Sequence, residues 1–193
     1  MANLRVRRLV TQWYGKARRE ADEFSEFVFL YFCFNALISN LSGKYNDRQA
    51  LDWTYDNANP IRDAYEFFLQ HKSIDDCVAR LRRLPPIPTH RPPPAPEFLV
   101  VPDTGTMREV LNYVYQVRCN LFHGRKDPQD QWDVAYVRAC NAILKPLIRR
   151  VISQLDERGT REHRPEPTAA YSRKGPIAAA TRPGVMRTKV KDK

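Results

Sequence analysis

Glycine is scarce in this 193-residue chain, seven residues against fifteen prolines. Alternation of apolar and polar residues is almost as rare, with no candidate strand longer than FLVVP at 98–102. Few strand turns and few strands exclude a sheet-based fold and predict helices joined by stiff connectors. The four cysteines, Cys33, Cys77, Cys119 and Cys140, form no CxxC pair. Two of them sit in apolar helical patterns, where a thiol behaves as a small hydrophobe, so a reducing, cytoplasmic setting is expected. His71, His90 and His163 are scattered and build no cluster with metal-ligand spacing, so neither metal nor cofactor is expected. The longest apolar run, FVFLYFCFNALI at 27–38, falls short of the roughly 20 residues that cross a bilayer and reads as a buried helix, with no membrane partner. The N-terminal MANLRVRRLV has basic residues but no apolar export segment behind them.

Positive charge is abundant and unevenly placed. The net charge is +10, and residues 157–193 hold ten Lys or Arg against four Asp or Glu, leaving the first 156 residues mildly basic. That tail is proline-bearing, cationic and poor in large apolar residues, a composition that predicts disorder and loose attraction to nucleic acid. A solubilising extension is the alternative. The domain reading is therefore one helical domain over residues 1–156 and a disordered basic tail over 157–193.

Helical periodicity fills the rest. Phe24, Phe27, Val28, Tyr31, Phe34, Ile38 and Leu41 form one stripe, with Gly15 a possible division before it and Gly43 a stop after it. A short helix around 48–55 is led by Asp47, and Asn59-Pro60 marks the N-cap and first turn of the next helix. Ser73 and Asp76 have capping spacing before a further one. LPPIPTHRPPPAP at 84–96 holds seven prolines in thirteen residues, which predicts an extended spacer within a proline-rich inserted loop over 84–103. A linker between two subdomains is the other reading of that stretch. Thr106 and Glu109 form a capping box, and the helix that follows ends at Gly124; Asp130 caps a last long helix, with a bend expected at Pro146. The class is all-α, an antiparallel helical bundle.

The chemistry concentrates in VYQVRCNLFHGRKD, residues 114–127. Arg118 and His123 are five residues apart, about 140° around a helix, so the long arginine stem must swing toward the imidazole. Asn120 lies closer to the histidine's face. His123 precedes the helix-ending Gly124, where the negative end of the dipole favours imidazolium, while a nearby guanidinium opposes it. A titrating imidazole and a planar cation are what RNA cleavage by its own 2'-hydroxyl requires: one moves protons, the other holds the phosphate and neutralises growing charge. Arg125 and Lys126 beside the motif, and Arg80, Arg82 and Arg83 earlier, are candidates for tracking an RNA backbone. Basic side chains also commonly finish helices by binding free carbonyls, and that structural role stands beside the catalytic one. Asn35, an amide among Phe34, Ala36, Leu37 and Ile38, must find partners; a hydrogen bond to a neighbouring helix is one reading and access to the cleft another.

Over a wider span, RCNLFHG with FCFNALI upstream and WDVAYVRACNAILKPLI downstream resembles the HEPN superfamily, the higher eukaryote and prokaryote nucleotide-binding helical domains. The likeness covers about residues 10–156, with the proline stretch as an insertion. It implies a helical bundle that forms a homodimer with a composite active site, and metal-independent endoribonuclease activity leaving a cyclic phosphate. Arg118 and His123 match the family's arginine and histidine, with Asn120 as helper. Many members have a polar residue directly after the arginine, where this chain has Cys119. The tyrosine two places after the histidine, found in toxins paired with a nucleotidyltransferase, is replaced by Arg125, so that partner is not implied. The resemblance points to toxin, phage-defence or stress-response roles with RNA as partner and an antitoxin or defence-system protein as a further one. The alternative is a non-catalytic helical module binding RNA, a nucleotide or a protein within a larger defence assembly.

Overall fold

The protein is described here by a computed structural model over residues 2–71, 74–89, 98–100 and 105–162, and helices dominate these. In chain order they are α1 (Ala2–Ala17), α2 (Glu23–Ser42), α3 (Asp47–Asp56), α4 (Pro60–Gln70), α5 (Asp75–Arg82), α6 (Met107–Phe122) and α7 (Gln131–Glu162). Strands β1 (Ile87–Pro88) and β2 (Phe98–Leu99) pair antiparallel between α5 and α6. The all-α class expected from the sequence is what these residues form. The His163–Lys193 unit, including most of the expected tail, lies outside the described residues, and α7 runs on to Glu162, past residue 156.

Local chemistry sets most helix boundaries. Asp22 accepts from the Ser25 N–H at 2.8 Å to start α2, and Gly43 ends it at φ 68°, a left-handed conformation that costs glycine little. Asn59 accepts from both Ile61 and Arg62 N–H groups ahead of Pro60, and Thr106 and Glu109 exchange the two bonds of a capping box. Asp130 accepts from Trp132 and Asp133 at the head of α7. Two expectations differ. The helix containing Gly15 runs through it to Ala17, so the first break falls at 18–22. Helix α5 has Ile74 at its N-cap position with no side-chain cap, and Ser73 lies outside the described residues.

Helix α2 supplies the heart of the core with Phe27, Leu30, Tyr31, Phe34, Leu37 and Ile38, all buried. At 20 residues it is also long and apolar enough to cross a membrane, so length does not distinguish a span from a core helix as the 12-residue apolar run implied. The helix outgrows that run because polar Ser25, Ser39 and Ser42 lie inside its caps. It packs along α1, α3 and α7. Cys33 donates to the Val10 carbonyl at 3.5 Å and Phe29 stacks on Trp13, so α1 and α2 run antiparallel. Glu23 meets Arg138 and Asn141 while Glu26 meets Lys145, so α2 and α7 run in the same direction. The bundle is therefore not antiparallel throughout.

Helix α7 continues through Pro146, which cannot donate to the Ala142 carbonyl. The Cys77 thiol from α5 takes that carbonyl instead, at 3.6 Å. Gly105, at φ 57°, leads into α6 and has no room for a side chain, since a Cβ there would lie 2.8 Å from Val78 Cγ1.

The start of the proline-rich stretch is stitched to the bundle. Ile87 is fully buried, and the carbonyls of Pro85, Pro88 and Thr89 accept from Tyr136, Asn120 and Gln116 respectively. Proline has no N–H to donate but keeps its carbonyl, so side chains of α6 and α7 bond these carbonyls beside the short β1–β2 pair. Residues 90–97 and 101–104 of the expected spacer lie outside the described residues.

Candidate functional site

Helix α6 ends in a Schellman arrangement: the Arg125 N–H bonds the Asn120 carbonyl at 2.9 Å and the Gly124 N–H bonds Leu121 at 3.0 Å, with Gly124 at φ 67°. His123 is the C-cap residue of that turn and is exposed. Its ring makes no hydrogen bond or ion pair among the described residues.

Arg118 lies five residues earlier and is held from several sides. Tyr115, Arg118 and Phe122 share a stripe by their i, i+3, i+7 spacing. The guanidinium carbon sits 5.9 Å from the Tyr115 ring centre and 5.0 Å from that of Phe122, while Tyr31 of α2 adds a third ring at 5.4 Å. Asp47, the first residue of α3, brings a carboxylate oxygen to 2.8 Å from Nη2, an ion pair whose alignment falls short of a hydrogen bond. Nη1 is 3.9 Å from Cys119 Sγ, a weak contact. Burial works against the arginine's charge, and Tyr31, Asp47 and Cys119 outweigh it, so its proton is held more tightly than in an ordinary arginine. Tyr31 is raised far above the usual phenol range by burial, with Arg118 opposing.

This cluster is the end of a polar seam between α3 and α6. Arg108 pairs with Asp56 at 2.6 Å, Asn112 accepts from Arg48 and Tyr55, and Arg118 meets Asp47, so the two helices run antiparallel with polar contacts along their length. The pairs grow less exposed toward Arg118. Sequence reading gave Asp47 only the start of a helix; nothing in the spacing of residues 71 positions apart signals a pair.

The other candidates separate. Asn120 is buried, accepts from Gln116 at 2.8 Å and donates to the Pro88 carbonyl at 3.0 Å, so its amide is used inside the fold and anchors the proline segment. Lys126 is drawn in against the Tyr136 ring at 4.3 Å and pairs with Asp133, which leaves its charge largely covered. Arg125 is exposed. Arg80 and Arg82 lie on α5, which packs on α7, with Arg83 as its C-cap. His71 caps the end of α4, and among the described residues no three His, Cys, Asp or Glu side chains are grouped to hold a metal.

Asn35 makes no hydrogen bond to a neighbouring helix through its carbonyl: Oδ1 is buried without a partner. The Tyr31 hydroxyl, one turn earlier on the same stripe, is also buried without one. On the outer side of the cluster an aromatic surface begins, with Phe122 against Phe32 at 6.3 Å, Phe32 against Trp13 at 5.4 Å, and Trp13 on Phe29. Phe32 and Phe122 are 36% and 46% exposed, large rings that the fold leaves uncovered.

Compared with protein-family models, with curated proteins and with solved structures, the chain matches none.

Proposed function

We propose that the chain is a HEPN-type endoribonuclease that cleaves RNA without a metal ion. The observation carrying this reading is a positively charged Arg118, about a quarter exposed and gripped by three rings and a carboxylate, five residues before the exposed His123. In the reaction, the RNA 2'-oxygen forms a bond to the adjacent phosphorus and the bond from phosphorus to the 5'-oxygen breaks. One proton leaves the 2'-hydroxyl and one reaches the departing 5'-oxygen; His123 carries one of these transfers and water the other, leaving a 2',3'-cyclic phosphate and a 5'-hydroxyl. Arg118 holds the phosphate and neutralises charge as the phosphorane forms. Arg125, beside the motif, contacts backbone phosphate. Asn120 and Lys126, assigned to the site on sequence grounds, act at most by shaping the helix end from within, because their polar groups are engaged.

The proposal includes a homodimer. The exposed Phe122 ring lies against Arg118 and directly precedes His123 in the chain, and the exposed Phe32 ring neighbours Phe122, so a second copy seated there would bring two motifs together and hide apolar surface. A cytoplasmic toxin, phage-defence or stress-response setting, with an antitoxin or defence-system partner, belongs to the same reading and rests on the family resemblance.

Purified protein incubated with mixed RNA in chelator is expected to give fragments ending in cyclic phosphate. Arg118→Ala and His123→Ala should each reduce cleavage by at least about a hundredfold, the scale of removing a positioned proton-transfer or charge-stabilising group. Undiminished cutting by both variants rejects the assignment. The close packing of Arg118 against Asp47 and three rings also favours a second reading, a non-catalytic binding module in which the arginine organises the helix end; RNA binding without turnover would select it.

A further inference from the structure

The grip on Arg118 has two components of different geometry. Rings at 5.4, 5.9 and 5.0 Å attract a guanidinium through its charge and set how deep it lies, but they leave it free to turn in its own plane. A carboxylate acts on the edge and fixes that rotation. Asp47, at 2.8 Å from Nη2, is the anion paired with Arg118. It is also the least exposed carboxylate of the α3–α6 seam, 23% against 41% for Asp52 and 66% for Asp56, so its field on the partner is the least screened. With Nη2 facing Asp47, Nε buried without a partner and Nη1 held only by a weak contact to sulfur at 3.9 Å, Nη1 is the donor an incoming phosphate would take.

We propose that Asp47 is a positioning residue for the site: from the first turn of α3 it fixes the rotation of the Arg118 guanidinium so that Nη1 faces the RNA phosphate. This rests on the endoribonuclease reading above. Because the contact is an ion pair lacking hydrogen-bond alignment, charge does the holding, and the conservative replacement is Glu rather than Asn.

The test measures cleavage of single-stranded RNA per folded molecule, and binding of a non-cleavable 2'-O-methyl RNA by anisotropy. Asp47→Ala and Asp47→Asn should each lower kcat about ten- to a hundredfold, the effect of misplacing a reacting group by about 1 Å, with KM changing less than about threefold. Asp47→Glu should recover most of the loss. On an Arg118→Ala background, Asp47→Ala should cost nothing further in residual cleavage, because a residue acting only through Arg118 is silent without it. The inference is overturned if Arg118→Ala removes activity while Asp47→Ala leaves kcat unchanged and only lowers the melting temperature, or if the two losses add. Cleavage and binding both indifferent to Arg118→Ala defeat the endoribonuclease reading itself, and this inference with it.

Discussion

Tyr31 supports the Arg118 guanidinium on its ring while its own hydroxyl finds no partner, so the two parts of one side chain have opposite consequences. The ring is needed; the oxygen is a buried polar group left unsatisfied, which costs about 1–3 kcal/mol. Tyr31→Phe keeps the ring and removes the oxygen. We expect it to leave the protein as stable as before or up to about 1 kcal/mol more so in urea denaturation, and a loss above about 1 kcal/mol would show that the hydroxyl is bonded after all. At this scale the sequence was informative about residue types and weak about partners. Arg118 and His123 stand out because basic groups near a helix end invite a chemical question. That Asn120 faces inward and Arg118 outward follows from their separation of about 200° on the helix, yet which side is the interior depended on where Pro88 and Asp47 lie.

Among the elements, α6 shows how a helix serves two neighbours at once. One edge carries Gln116 and Asn120, whose amides satisfy the Thr89 and Pro88 carbonyls; Tyr115 and Arg118, with Asn112 between the two edges, meet α3. Asn120→Ala removes the donor to the part-buried Pro88 carbonyl and strips a partner from Gln116. Unfolding measurements should register a loss of about 1–3 kcal/mol. Cleavage per folded molecule should stay within about threefold of wild type, since the group acts on packing rather than on the reacting phosphate; a hundredfold fall would restore Asn120 to the chemistry. The caps of α4, α6 and α7 were readable from local residues because each needs only a side-chain oxygen two or three positions from an N–H, whereas Asp22 at the head of α2 was not recognised. Helix α5 follows Ile74, whose side chain cannot cap it, and Val78 and Leu81 enter the core; the expected cap Ser73 lies outside the described residues. The proline stretch was expected as an extended loop within the domain, and proline content alone did not reveal that Ile87, fully buried, pins the segment's beginning to the bundle.

On the scale of the whole molecule, the uncovered aromatic surface around Phe32 and Phe122 is the feature with consequences for assembly. If a second copy covers it, placing a charge there must separate the copies. Phe32→Glu is expected to shift the mass measured by light scattering to that of one chain and to reduce RNA cleavage together with it, whereas an unchanged mass and unchanged cleavage would reject the dimer face. The class of the fold was determined by the sequence: apolar residues spaced three and four apart, few glycines and well-placed caps leave helices as the only efficient way to bury these side chains while satisfying the backbone. The same local patterns carried the end of α6 before Gly124, whereas the exposure of His123 came from the packing. What only the tertiary structure decided is which helices lie side by side and in which direction, and so which charges meet. Asp47 reaches Arg118, and Lys126 is spent on Asp133, because packing of a shared core fixes those distances. Helical periodicity tells a residue which way to face, but it contains no information on the residue it will face across the gap.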